Sequence, residues 1–327
     1  MPELIVAGDG SFFADGCILG GKRVFGGRFE IRTNVVGSRS FIGNSAILPT
    51  GAVIGDDCLL GVLSSPPTTE PTPNGSDWLG LPGFRLPNRQ KVDGFDHKLT
   101  YQPSFSLYAQ RAIIDGLRIL IPAYALLILG LTGIASLLYL YKTYGFYVML
   151  VATPFMTIGL AVVSVLFVVA LKWAVMGKFH PVIKPLWCHY VWLNEMVNGA
   201  YESIMAPVTS ILFGTPFAGI PLRMIGCKVG RDCYIASNLF SEFDLIEIGN
   251  YASINEGVIL QTHLFEDRVM KSSHLKIGDN CSVGNMAVVL YDTSMKDRAV
   301  LGPLSLLMKG EIMPANSQWY GAPTVHR

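Results

Sequence analysis

Residues 35–64 read VVGSRS FIGNSA ILPTGA VIGDDC LLGVLS, five blocks of six in unbroken succession. An aliphatic residue holds the second place of each block (Val36, Ile42, Leu48, Ile54 and Leu60), and glycine follows it in four of the five. A half-buried strand repeats every two residues and an amphipathic helix about every 3.6. A period of six is that of a β-helix, in which each block forms one side of a coil. The aliphatic residue is then expected to point into the prism, and small or turn-forming residues to let the chain bend at each corner.

The pattern returns at 276–305 as KIGDNC SVGNMA VVLYDT SMKDRA VLGPLS, with outlying blocks KVGRDC at 228–233 and EIGNYA at 247–252. A shift of 241 positions superposes the two stretches without a gap. Leu4-Ile5 then falls on Leu245-Ile246, Gly8 on Gly249, Gly16 on Gly257, and Ile18-Leu19 on Ile259-Leu260. Gly43-Asn44 falls on Gly284-Asn285, Leu60-Gly61 on Leu301-Gly302, and Leu63-Ser64 on Leu304-Ser305. The Trp-x-Gly-x-Pro ends, Trp78 to Pro82 and Trp319 to Pro323, coincide as well. Roughly twenty identities arise in this register, which marks an internal repeat. Residue 1 aligns with Glu242, and the second copy has a long lead-in, residues 173–241, that the first lacks. A β-helix without its first coils exposes an open strand edge. The sequence therefore reads as the C-terminal part of a longer polypeptide, or as one that a partner completes.

Two uncharged apolar runs separate the copies, Ile119 to Tyr141 and Phe146 to Leu171. Each exceeds the roughly 20 residues that a bilayer-spanning helix needs. The link Lys142-Thr143-Tyr144-Gly145 is short enough to force a helical hairpin, and Pro122 and Pro154 lie inside the spans. Arg111 and Arg118 precede the first span, and Lys172, Lys178 and Lys184 follow the second, against Lys142 alone at the tip. The positive-inside rule then places both flanking segments in the cytoplasm. The expected layout is a partial β-helix over 1–90, a connector over 91–118, a transmembrane hairpin over 119–171, an interfacial connector over 172–225 and a β-helix over 226–327.

Composition agrees. Half of the 327 residues are hydrophobic and 15% are charged, against about 25% charged in a typical soluble domain. That excludes disorder and a collagen-like chain, and a net charge of +1 gives no field to recruit nucleic acid. The six cysteines form no CxxC pair and no Cys/His cluster of zinc spacing, and read as small buried residues in a reducing compartment.

Hexad repeats closed by Trp-x-Gly-x-Pro resemble the hexapeptide-repeat acyltransferases, whose fold is a left-handed β-helix. A closer resemblance covers essentially the whole chain. It is carried by Pro185-Leu-Trp-Cys-His-Tyr-Val-Trp-Leu-Asn-Glu195, Gly214-Thr-Pro216, Glu242-Phe-Asp244-Leu245, Gln261-Thr-His263-Leu-Phe-Glu-Asp-Arg268 and the Trp-x-Gly-x-Pro ends. Together these are similar to the C-terminal membrane region of poly-ε-lysine synthetase-type nonribosomal peptide synthetases. The resemblance implies a mainly β chain with transmembrane α: two left-handed β-helix domains joined by a two-helix hairpin, in the bacterial inner membrane. It implies adenylation and carrier domains, in the same or a partner chain, that present an amino acid as a phosphopantetheine thioester. It also implies amide-bond formation to a small amino acid or a growing chain. No tightly bound cofactor is expected.

Amide formation from a thioester needs a neutral amine, a base to take its proton and donors for the oxyanion. His263 is the candidate base, at a break in the hexads where the superfamily often places a catalytic histidine. The aligned residue of the first copy is Lys22, so the two copies are unequal. Glu242 and Asp244 form a carboxylate pair that either orients the histidine, binds a cationic amino group, or caps a turn. Glu195 lies beside Trp192 on an aromatic, helical segment that reads either as an interfacial anchor or as substrate-facing. Trp319, Gly321 and Ser305 read as a cap over the last coil; the resemblance also puts them beside a thioester arm. Gly16 to Lys22 fits the first seven positions of a phosphate loop, but Arg23 replaces the hydroxyl residue and hexads surround it, so it reads as a coil corner. Two rival functions fit the same residues: a stand-alone acyltransferase using acyl-CoA, and a non-catalytic membrane scaffold for a synthetase.

Overall fold

In a computed structural model, residues 2–67, 70–87 and 94–326 are described. After residue 226 the chain visits three parallel sheets in strict rotation. Leu275–Ile277, Ser282–Val283 and Val288–Leu290 take one strand on each sheet. One circuit consumes three hexads, so Ile277 lies opposite Met295, Val283 opposite Leu301 and Val289 opposite Leu307. The result, here called the C-coil, is a three-faced prism whose axis is filled by the residues that the hexads single out. Ile277, Val283, Val289, Met295, Leu301 and Leu307 are all buried in one cluster. The N-coil repeats the arrangement, with Val36, Ile42, Leu48, Ile54 and Leu60 forming its core.

The period of six is also written in the backbone. Left-handed residues recur at Arg39, Ser45, Gly51, Asp57 and Leu63, and again at Asn280, Met286, Asp292, Arg298 and Leu304, with φ between 51° and 81°. Each corner of the first set is the 241-shifted partner of one in the second. The glycine that follows the inward aliphatic has a different task. A Cβ on Gly43 would lie 2.7 Å from Gly61 C of the next circuit, and one on Gly284 2.4 Å from Pro303 N. Stacked circuits approach too closely there for any side chain.

Each coil carries one excursion, at the same place in its circuit. In the C-coil it is a hairpin of His263–Glu266 and Val269–Ser272, where the sequence suggests a loop. In the N-coil it is Arg23–Phe25 and Arg28–Glu30. The two differ in cover. Strand Val182–Pro185 pairs antiparallel with Val269–Ser272, whereas Val24, Phe25 and Phe29 of the first hairpin are exposed.

Helix α1 runs over Phe105–Tyr144 and α2 over Phe146–Val175. Gly145 alone (φ 85°) breaks them, so the link is one residue rather than four. Both helices are long and apolar enough to cross a membrane, and both contain their proline without interruption. Their large apolar side chains face outward, and Gly133 meets Leu160 where they cross. One side of the first turns of α1 packs on protein, Leu107 and Ile114 lying partly buried beside Trp187 and Trp192, while Phe105, Tyr108 and Ile113 stay exposed. Helix α3, His189–Ala200, lies against α1 and α2 and leads into a π-helical turn at Tyr201–Met205. Helix α4, Gly219–Ile225, precedes the C-coil.

The coils touch. Val62 and Leu79 of the N-coil share a cluster with Leu264, Val288, Leu290 and Leu306 of the C-coil. Leu81 N donates to Ala322 O (3.2 Å), and Arg268 Nη2 donates to Gly10 O (2.9 Å).

Candidate active site

His263 opens the C-coil hairpin, and Glu242 ends the preceding circuit. Glu242 adopts a left-handed conformation (φ 38°) just before the short 3₁₀ turn Phe243–Leu245. This conformation is uncommon for a residue other than glycine, and such positions concentrate at functional sites. Here it falls outside the six-residue series of corners. The hairpin and the turn bring His263 Nδ1 to 2.7 Å from Glu242 Oε2. Thr262 Oγ1 donates to the same oxygen (2.5 Å), and Asn194 Nδ2 of α3 donates to Oε1 (2.6 Å). Both carboxylate oxygens are thus engaged in a fully buried site, as a buried charge requires.

The electrostatics follow from these contacts. Burial by itself would push the Glu242 carboxyl up. The His263 charge and the hydrogen bonds from His263, Thr262 and Asn194 outweigh it and hold the group at about 2. For His263, burial disfavours the imidazolium, but the Glu242 charge and hydrogen bond more than offset it and raise its pKa, with smaller contributions from Asp15 and Glu195. Nδ1–H donates to the carboxylate, so in the neutral ring Nε2 carries the lone pair. No residue among those described hydrogen-bonds Nε2, and the side chain keeps 16% of its surface exposed. The ring packs edge-on to Phe265, which meets Phe12 of the N-coil. The arrangement is a histidine oriented by a carboxylate, able to take a proton at Nε2 and return it.

The other candidates lie elsewhere. Asp244 points away from the histidine: its Oδ2 is 2.7 Å from Lys172 Nζ of α2, an ion pair in which both side chains are buried, and accepts from Phe179 N (3.0 Å). The carboxylates of the Glu242/Asp244 pair thus serve different partners, because the 3₁₀ turn between them rotates one toward the hairpin and the other toward α2. Glu195 is held by Arg111 and, at 3.0 Å, by Arg118, both on α1. Burial raises its pKa despite these two cations. Trp192 is buried beside Val191 and Met270, with its Nε1 donating to Leu186 O. It is a packing residue and not an interfacial anchor.

Ser305, Gly321 and Trp319 form the closing cap. The Ser305 hydroxyl is buried and accepts from Gly321 N (2.9 Å), as Ser64 accepts from Gly80 N (2.8 Å) in the N-coil. Trp319 packs against the core cluster, its Nε1 buried without a hydrogen-bond partner. Ser305 is fully buried, Trp319 is partly buried and Gly321 is exposed.

Sequence reasoning missed Asn194 and the two arginines as parts of the site. Asn194 stood inside the quoted Pro185–Glu195 segment, but only tertiary packing sets helix α3 with Asn194 toward the coil and Glu195 toward α1. Thr262 lay in the quoted Gln-Thr-His stretch without an assigned task.

Fold and site define a class: a chain of two hexad coils flanking a membrane-type helical hairpin, with a histidine on a buried carboxylate where the second coil meets α3. Over 326 residues, 99% of the chain, it is 36% identical to a delta-poly-L-ornithine synthetase of Acinetobacter baumannii. The chain is therefore homologous to a synthetase segment, and it spans 24% of that relative's length. No protein-family model matches the chain. Among solved structures, a maltose O-acetyltransferase of Clostridium difficile aligns with 51% of this chain and 88% of its own at 15% identity and a TM-score of 0.25. A hexapeptide-repeat acetyltransferase of Vibrio cholerae aligns with 51% and 90% at 12% identity and the same score. Scores this low assign no shared overall fold.

Proposed function

We propose that this chain is the amide-forming acyltransferase region of a membrane-bound nonribosomal peptide synthetase. The observation that carries the reading is the His263–Glu242 pair, 2.7 Å apart, its carboxylate fully buried and its Nε2 unengaged among the described residues. Homology to a synthetase of an amino-acid polymer supplies the reaction class. The donor substrate is an aminoacyl thioester, brought on the phosphopantetheine arm of a carrier, and it supplies an activated carbonyl. The acceptor is the amine of an amino acid or growing chain. His263 Nε2 accepts a proton from the amine as its nitrogen bonds to the carbonyl carbon. The C–S bond then breaks, and the imidazolium returns the proton to the leaving sulfur. Glu242 fixes the tautomer and offsets the imidazolium charge. Asn194 and Thr262 hold Glu242.

The same reading sets the coils as left-handed β-helices within 1–90 and 226–327, of which residues 1, 68–69, 88–90 and 327 lie outside the described residues, on the cytoplasmic side of the inner membrane. The hairpin 119–171 crosses the membrane, and adenylation and carrier domains act with the chain. The basic flanks support this sidedness.

The test uses the full polypeptide that contains this region. His263→Ala should lower polymer formation by about 100- to 10,000-fold, while the carrier remains loaded with its amino acid. Polymer made at the wild-type rate would remove His263 from the mechanism.

A further inference from the structure

On the C-coil itself the exposed large apolar side chains belong to the coil's own surface, as Met286 and Leu304 do at its corners, and an apolar share of surface is ordinary for a protein. The segment between α3 and that coil differs. Ile211, Phe217, Ile220 and Met224 are 81%, 60%, 48% and 38% exposed. Ile220 and Met224 stand one turn apart on one face of α4, while Pro221, Leu222 and Ile225 fill its other face and are buried. The outer side of this helix thus carries Ile220 and Met224 without protein against them, next to Arg223, whose guanidinium is turned back onto Val229 O and Gly230 O. It also sits beside the membrane-type hairpin. Trp173, on the last turn of α2 and itself 46% exposed, donates its indole N–H to Met224 O (3.0 Å). Helix α2 is 30 residues long, about 45 Å, and thus longer than a hydrocarbon core of about 30 Å. Its final turn therefore falls at headgroup depth, where tryptophan is favoured.

We infer that Phe217, Ile220 and Met224, level with Trp173, insert into the headgroup layer of the bilayer leaflet where α2 ends, so that the C-coil rests directly on lipid. The occupant is lipid because the patch continues the outward apolar surface of α2 through the Trp173–Met224 bond. The inference rests on the membrane reading of the hairpin, and its test separates the two.

Cys17, Cys188 and Cys233, the cysteines with exposed surface, are changed to Ser. A single cysteine is then placed at Phe217, Ile220, Leu138 in the hairpin, or Ile312 on the coil, and labelled with a nitrobenzoxadiazole dye. Each protein is reconstituted into phosphatidylcholine vesicles whose acyl chains are brominated close to the headgroup. The Phe217 and Ile220 dyes should lose about half their emission relative to unbrominated vesicles, as expected for side chains seated at the headgroup–acyl boundary, and the Ile312 dye should lose none. Two variants guard against one failing to fold. Unquenched dyes at Phe217 and Ile220, with a quenched dye at Leu138, would overturn the inference and leave the hairpin in the membrane. Blue-shifted but unquenched emission at Phe217 would overturn it in favour of a protein contact. A Leu138 dye quenched in no vesicle would overturn the membrane reading and the inference together.

Discussion

Glu242 shows how much of a site depends on one carboxylate being fully held. It is buried, takes a left-handed backbone, and engages three donors, one of them the histidine it orients. Removing a donor should leave a buried oxygen without a partner, which costs about 1–3 kcal/mol. Asn194→Ala is therefore expected to lower the unfolding midpoint of the purified protein in detergent and to slow amide formation, whereas Asn194→Gln, which keeps the donor, should recover part of both. An Asn194→Ala protein with unchanged stability would show that Glu242 is satisfied some other way. At this scale the sequence was partly legible. His263 and Glu242 stood out as residue types suited to proton transfer, but nothing in the chain order separates Glu242 from Asp244. Their different fates depend on a 3₁₀ turn and on what packs against each side of it.

Among the elements, the hexads were legible to single residues. Ile42, Leu48, Val283 and Val289 are inward because a six-residue side with one inward aliphatic has no other way to fill a prism, and the left-handed corners follow in step. Hydropathy located the hairpin but not its ends. Helix α1 starts at Phe105, well before the apolar run, because its first turns pack Leu107 and Ile114, partly buried, against the Trp187–Trp192 cluster at the start of α3. Where elements join, the buried Lys172–Asp244 pair ties the end of α2 to the first circuits of the C-coil. Lys172→Met should leave Asp244 buried and unpaired and destabilise the protein by about 3–5 kcal/mol. The double change Lys172→Met with Asp244→Leu should restore most of that loss. Thermal unfolding of both variants in the same detergent checks it. A double variant no more stable than the single would mean that the pair acts through something other than compensation of charge.

For the whole molecule, the internal repeat was visible as a 241-residue shift, and the structure carries the same shift into strand positions, corners and the Ser–Gly caps. The meeting of the two coils was not visible. Phe12 against Phe265 and Leu79 beside Val288 join residues more than two hundred positions apart that share no sequence pattern. The same holds for the chain of contacts that runs from α1 through Arg111 and Glu195 to α3, and from its neighbour Asn194 to Glu242 and His263. A membrane-type helix and the His263–Glu242 pair thus share one short helix between them.

The claim at the centre of this account is that His263 is a general base held by Glu242. The pH dependence of the proposed amide formation, assayed in the polypeptide that carries this chain, tests it most directly, comparing the wild type with Glu242→Gln. The base works as neutral imidazole, so the rate should climb as pH rises through the histidine's pKa. Glu242 raises that pKa above its ordinary value of 6.5, and in the wild type the limb should lie on the alkaline side of it. Glutamine still accepts from Nδ1 but carries no charge, so the limb should move to lower pH, while the acceptor amine's own ionisation stays where it was. A limb that the substitution leaves in place would contradict the assignment.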